Sequence, residues 1–217
     1  MGNADVAGTS PVTHLAVHDF WGTPIDASGS HGSYRPLVTL SFRWTAQLAG
    51  LDGAYWFHLT NVLLHCAATM AVTISAGRVS GLLFAVHPVH CEAVAGLVGR
   101  ADVICTLFFL AGLSRWKGRS GLVETLFFTT AAFFSKEYGI TLPPVCLLSD
   151  LISSRKNRRI QWLILILWTI LLVAFRLWLS DFRTPHFASG DNPVAACPSF
   201  TTRTLTFLYL PVNNYNN

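Results

Sequence analysis

Between Ile160 and Leu179 the chain runs for 20 residues with only Gln161, Thr169 and Arg176 interrupting an apolar series. A helix needs about 20 such residues to cross a hydrocarbon core roughly 30 Å thick. In lipid every backbone N–H and C=O must be paired within the segment, so a run of this kind is helical. Other runs follow the same pattern. Residues 56–75 form a candidate span. Residues 79–86 are a short run ending at His87-Pro88, and residues 101–114 and 121–134 are a pair separated by a basic turn. Residues 138–152 contain Pro143-Pro144, which predicts a helix that is kinked or begins late, because proline cannot donate within a helix. Residues 205–210 begin a further run. A run of 14 residues covers only about 21 Å, so the shorter ones either extend into polar flanks or lie buried within a bundle.

Composition supports this reading. Charged residues make up 12% of the chain, against about 25% in soluble domains. Hydrophobic residues reach 52% and the mean hydropathy is +0.45. A disordered chain, a coiled coil and a nucleic-acid module are excluded, because a scattered excess of +4 is no footprint for a phosphate backbone. The fold expected is all-α, a polytopic membrane helix bundle. It divides into a loop segment over 1–54, rich in turn formers such as Gly22, Pro24 and Gly32, and a multi-helix membrane domain over 55–180. A second loop over 181–204 leads to the start of a further membrane helix over 205–217. Five cysteines form no CxxC pair, and Cys66, Cys105 and Cys146 sit in apolar runs as small hydrophobes.

Basic residues cluster at Arg115, Lys117 and Arg119, and again at Arg155, Lys156, Arg158 and Arg159. The positive-inside rule places both turns in the cytosol, with two spans between them. The turn at 75–80 with Arg78 is then cytosolic too. Residues 1–54, His87 to Asp102, 135–137 and 181–199 face the other side. That assignment gathers His18, Asp19, His31, Arg35, His87, His90, Glu92, Arg100, Asp102, Lys136, Glu137, Asp181, Arg183, His186 and Asp191 on one face. Ionisable groups collected at one membrane boundary mark a working surface.

Four constellations carry chemistry, the first of them in two successive motifs, and each has a structural alternative. In His18-Asp19-Phe20-Trp21-Gly22, Asp19 is a general base, a metal ligand or an Asx-turn cap, and Trp21 suits headgroup depth. In Ser30-His31-Gly32-Ser33-Tyr34-Arg35-Pro36, the Arg35 guanidinium matches phosphate oxygens. His87-Pro88-Val89-His90-Cys91-Glu92 with Gly99-Arg100-Ala101-Asp102 is either a metal-binding pair of imidazoles or a polar break where a helix re-enters the interface. In the second case Arg100 and Asp102 pair or cap the next helix. The stripe His58, Asn61, His65 on the 56–75 helix reads as an interhelical hydrogen-bond seam. Ser135-Lys136-Glu137 is a solvated turn or an anionic-headgroup site through Lys136.

Taken in order, these motifs closely resemble the TMTC family, the transmembrane and tetratricopeptide-repeat O-mannosyltransferases. To those above are added Phe57-His58-x-x-Asn61-Val62-Leu63-Leu64-His65, Phe134-Ser135-Lys136-Glu137-x-Gly139 and Asp191-Asn192-Pro193, and the match covers about residues 11–212. The resemblance implies a partial GT-C type helix bundle in the endoplasmic reticulum membrane, with the polar face in the lumen. It implies mannose transfer from dolichyl phosphate mannose to Ser/Thr of secretory-pathway proteins, cadherins above all. Asp19 is then the candidate base. Arg35, Arg100 and Lys136 are candidates for the donor phosphate. His18, His31, His87, His90, Glu92, Asp102 and Glu137 support them, with Glu92 and Asp102 orienting His90 and Arg100. No metal ligands are assigned, and a divalent metal cofactor is left open. Against the family pattern, an upstream acidic pair is missing, with Asp5 a poor substitute, and the tetratricopeptide repeats lie beyond Asn217. The chain is accordingly expected to be truncated at both ends. The alternative is a non-catalytic membrane protein.

Glycosylation acceptor tags placed in the Trp21 loop and beside Gly99 should be modified together, and tags at 118–120 should not. Modification of only one of the first two overturns the one-face arrangement.

Overall fold

The structure is a computed structural model that describes residues 2–27, 29–117, 121–153, 158–182 and 199–213. Arg119, Arg155, Lys156, Arg183, His186, Asp191, the Asp191-Asn192-Pro193 motif and Cys197 lie outside the described residues. Every regular element among the described residues is a helix, apart from one isolated antiparallel bridge between His18 and Pro24, and no strand is formed among them. The chain is an all-α membrane helix bundle. Two compact units are distinguished, residues 1–182 and 183–217.

Two described helices are long and apolar enough to cross a membrane: α3 (Ala54–Ala76) and α9 (Arg159–Leu179). To number them in chain order, α1 is Ala4–Ala7 and α2 is Pro36–Ala49. Between the two spans come α4 (Arg78–Val86), α5 (His90–Ala95), α6 (Arg100–Lys117), α7 (Leu122–Ser135) and α8 (Leu142–Ile152). Leu163, Leu167, Ile170 and Leu171 of α9 are exposed, a face that suits lipid and not water. α8 does begin late. A 3₁₀ turn over Glu137–Thr141 precedes it, and Pro143 and Pro144 fall in its first turn, where their missing N–H groups cost nothing.

Residues 1–54 are more than a loop. α2 lies within them, burying Val38, Phe42 and Ala46 at i, i+4, i+8 against Phe20, Phe57 and Ala101. Its polar residues disguised the helix in the sequence, because several of them are inward and paired. Arg43 is buried and donates to the backbone carbonyls of Asp5, Gly8 and Ser10, tying α1 to α2.

α4 packs on α3 with backbone contact at Gly81, where a Cβ would meet the Thr73 hydroxyl at 1.9 Å. α4 is only nine residues long, and the chain breaks at His87-Pro88 before α5 continues alongside α3. The Asn61 amide donates to the carbonyls of Val94 and Gly96 (both 3.2 Å), and His65 Nε2 lies 3.4 Å from the Ala85 carbonyl. The expected seam therefore forms through Asn61 and His65, while His58 is exposed.

Arg100 closes the same junction. It is fully enclosed, donating through Nε to Asn61 Oδ1 at 2.7 Å and to the Phe57 carbonyl at 2.8 Å. Further bonds reach Thr45 Oγ1 at 3.1 Å and the Ser41 carbonyl at 3.3 Å. Its guanidinium lies 4.0 Å from the Phe42 ring centroid. At the opposite ends of the helices, Arg158 pairs with Asp150 (3.5 Å), donates to the Trp116 carbonyl (2.8 Å) and covers the Trp116 ring. Trp116, Leu142, Cys146 and Leu165 are buried together nearby. In the second unit, α10 (Phe200–Asn213) starts five residues earlier than the apolar run suggested, with the Ser199 hydroxyl accepting from the Thr202 N–H.

Asn61→Leu leaves a buried guanidinium donor and two carbonyls unpaired. We expect a loss of about 3 kcal/mol, read as a lowered unfolding midpoint in detergent, with His58→Leu close to wild type.

Candidate functional site

The N-terminal segment is organised by Asp19. Its Oδ1 accepts from the N–H groups of Trp21 (2.9 Å) and Thr23 (3.0 Å), and its Oδ2 accepts from the Ser30 hydroxyl (2.7 Å) and the His31 N–H (3.1 Å). The carboxylate is 2% exposed. Four donors on a buried carboxylate make an Asx-type turn with an added clamp, and leave little capacity to take a proton from a substrate. Gly22 turns the chain beside it at φ +87, a region closed to most L side chains. Trp21 and His31 are exposed at the tip, with ring centroids 6.2 Å apart. His18 is held differently, its Nδ1 2.7 Å from Asp5 Oδ2.

The turn after α7 brings distant parts of the chain together. Glu137 receives Arg35 (3.0 Å to Oε2) and Arg176 (3.2 Å to Oε1). Two guanidiniums on one carboxylate leave a formal surplus of one positive charge. Arg176 also donates to the carbonyls of Gly32 (2.6 Å) and Tyr34 (3.2 Å), so the end of α9 is fastened to the start of α2. Burial raises the Tyr34 phenol above its ordinary range, and the Arg176 guanidinium partly offsets this. Lys136 Nζ sits 2.6 Å from both oxygens of Asp102, and the Tyr138 hydroxyl donates to the same carboxylate at 3.2 Å. Gly139 lets this turn lie against the Ala132 backbone; a Cβ there would come within 2.4 Å of the Ala132 carbonyl carbon.

Beside Lys136 opens a groove of about 730 Å³ between α3, α4, α5, the start of α6 and the Lys136 turn. Its lining combines the charged Lys136, Asp102 and Glu92 and the Tyr138 phenol with apolar Phe84, Ala68 and Val103. His65 and His90 also line it, with ring centroids 5.2 Å apart, and Phe84 packs on His90 at 4.2 Å. His87 is exposed at the chain break, 5.8 Å from His90 by ring centroids.

The expected residues therefore separate. Lys136, Asp102, His90 and Glu92 line the groove, and Arg35 and Glu137 form the neighbouring cluster. Arg100 does not reach either: its guanidinium donates to Asn61, Ser41, Thr45 and Phe57, and it presents no open face to a phosphate. Asp102 does not orient Arg100; it holds Lys136. Glu92 is exposed, with no side-chain hydrogen bond among the described residues. Sequence reasoning missed Arg176, which looked like a mere interruption of an apolar run, and underrated Asp5. The spacing His14-x-x-x-His18, one helical turn apart, was the signal beside Asp5.

The family model described as Protein O-mannosyl-transferase TMTC, DUF1736 matches residues 181–216. Protein O-mannosyl-transferase Tmtc2 of Drosophila melanogaster is 41% identical over 99% of this chain and 26% of its own length. Protein O-mannosyl-transferase TMTC2 of Homo sapiens is 40% identical over 98% of the chain and 30% of its own length. TMTC3 of Mus musculus is 32% identical over 97% of the chain and 27% of its own length. The chain thus spans between a quarter and a third of the length of these relatives. No solved structure matches.

Glu137→Gln should expose the repulsion between Arg35 and Arg176. The pair is partly solvated, so the expected loss is about 1 kcal/mol. Unfolding midpoints in detergent should show the gap from wild type shrinking as salt is raised.

Proposed function

Because the chain belongs to the TMTC family of protein O-mannosyl-transferases, we propose that it carries the donor-binding part of such an enzyme. The reaction moves mannose from dolichyl phosphate mannose to Ser or Thr hydroxyls of secretory-pathway proteins such as cadherins. In this reading the chain is a multi-pass protein of the endoplasmic reticulum membrane, with the N-terminal segment and the groove mouth in the lumen.

The observation that carries the proposal is the groove, whose lining joins charged Lys136, Asp102 and Glu92 to apolar Phe84, Ala68 and Val103. A lipid-linked sugar phosphate joins the same two characters, a charged headgroup and a hydrocarbon tail. During transfer an acceptor hydroxyl oxygen bonds to the anomeric carbon and the bond from that carbon to the phosphate oxygen breaks. The departing phosphate gains negative charge, and a fixed cation nearby stabilises it. Lys136 is the cation we assign, held in place by Asp102. Arg35 and Arg176, sharing Glu137, add a positive field next to it. Glu92, exposed in the groove, is the carboxylate positioned to accept the hydroxyl proton. Asp19 shapes the Trp21 loop, His18 and His31 belong to that segment, His87 and His90 frame the groove, and Arg100 fixes the start of α6.

Expression in cells lacking their own O-mannosyltransferases, with mass-spectrometric readout of a cadherin repeat, tests the reading. Mannose should appear on the repeat, and Lys136→Met should lower transfer about 100-fold. No transfer by this chain, with transfer by a full-length relative, would reject the activity and leave family membership intact.

A further inference from the structure

We infer that Asp5, His14 and His18 form a site for a borderline divalent transition metal, Zn²⁺ above all, with one coordination position open to solvent. This is separate from the groove and stands without the transferase reading. The three residues each offer a ligand atom, and these atoms all lie within 4.8 Å of one another. Zinc bonds to imidazole nitrogen and carboxylate oxygen are about 2 Å long, so small side-chain rotations would bring all three onto one ion. Two imidazoles with one carboxylate match the ligand preference of Zn²⁺ and not that of Mg²⁺, which demands oxygen ligands. Three protein ligands leave a fourth position for water or a substrate oxygen.

The surroundings hold the set in place. Asn3 caps α1 by accepting from the Asp5 and Val6 N–H groups, which fixes the Asp5 backbone. The Ser10 hydroxyl donates to Asp5 Oδ1, the kind of outer contact that orients a ligating carboxylate. The His18 N–H donates to the His14 carbonyl at 2.8 Å, and the two rings lie with centroids 4.7 Å apart. The Arg43 guanidinium is near, but it donates to the backbone carbonyls of Asp5, Gly8 and Ser10 and not to the Asp5 carboxylate. Asp5 is 1% exposed while His18 keeps 15%, so the carboxylate is enclosed and the imidazole edge reaches solvent. A buried carboxylate needs a partner. His18 is one, and an ion shared with His14 would neutralise it more fully. The His14 side chain has no hydrogen bond among the described residues, which leaves its nitrogens free to ligate.

The test uses the whole chain in detergent, without a histidine tag, after treatment with a chelator. Equilibrium dialysis against Zn²⁺ should show one ion bound per chain, undiminished by excess Mg²⁺. Co²⁺ in its place should give visible ligand-field absorption. Ser10→Ala should weaken Zn²⁺ binding on the order of 10-fold. His14→Ala should abolish the stoichiometric site while leaving the metal-free unfolding midpoint close to wild type. His90→Ala, which alters the histidines of the groove, should bind like wild type. Absence of stoichiometric Zn²⁺, binding unaffected by His14→Ala, or loss of binding in His90→Ala would each overturn the assignment.

Discussion

Arg100 brings a full positive charge into a place with no water. Such a charge costs several kcal/mol unless its donors are met and its face is covered. Here Asn61, Ser41, Thr45 and Phe57 receive the donors, and the Phe42 ring covers one face. Those partners come from α2 and α3, so the start of α6 cannot shift without stranding the charge. Asp102 lies two residues further on, and its carboxylate meets Lys136 only because that start is fixed. The enclosed guanidinium thus sets the geometry of the groove although it touches nothing within it.

The second determinant is the break between α4 and α5. Proline at 88 has no N–H to give there, and at the other end of α5 Asn61 donates to the Val94 and Gly96 carbonyls that a continuous helix would have paired. The resulting gap is where His65, His90 and Phe84 meet. Broken helices in membranes place backbone and side-chain polarity next to cavities, and this one follows that logic. Histidine, glutamate and lysine sit there beside apolar walls.

Much of the fold was legible in the chain itself. The 160–179 run, the 56–75 run and the pair at 101–134 appear as α9, α3, α6 and α7, because apolar length and helix period survive any packing arrangement. α2 was not legible. Its buried face is short, and Arg43 and Thr45 are polar residues turned inward to partners far away in sequence. Of the site residues, Lys136, Asp102 and Glu92 carried their own signal through motif and charge. Asp19 and Arg100 carried the same signal, yet in the folded chain their polar atoms are taken up by protein. Residue type says what a side chain is able to do; its hydrogen-bond partners say what capacity is left.

The sequence alone determined that this is a helical membrane chain, since hydropathy acts locally and needs no knowledge of the fold. The tertiary structure decided which cations are structural and which face the groove, which carboxylate is saturated and which is open. It also decided that Asp5 meets His18 and that Arg176 meets Glu137. Those outcomes depend on pairings across 13 and 39 residues, and no local pattern encodes a partner at that distance.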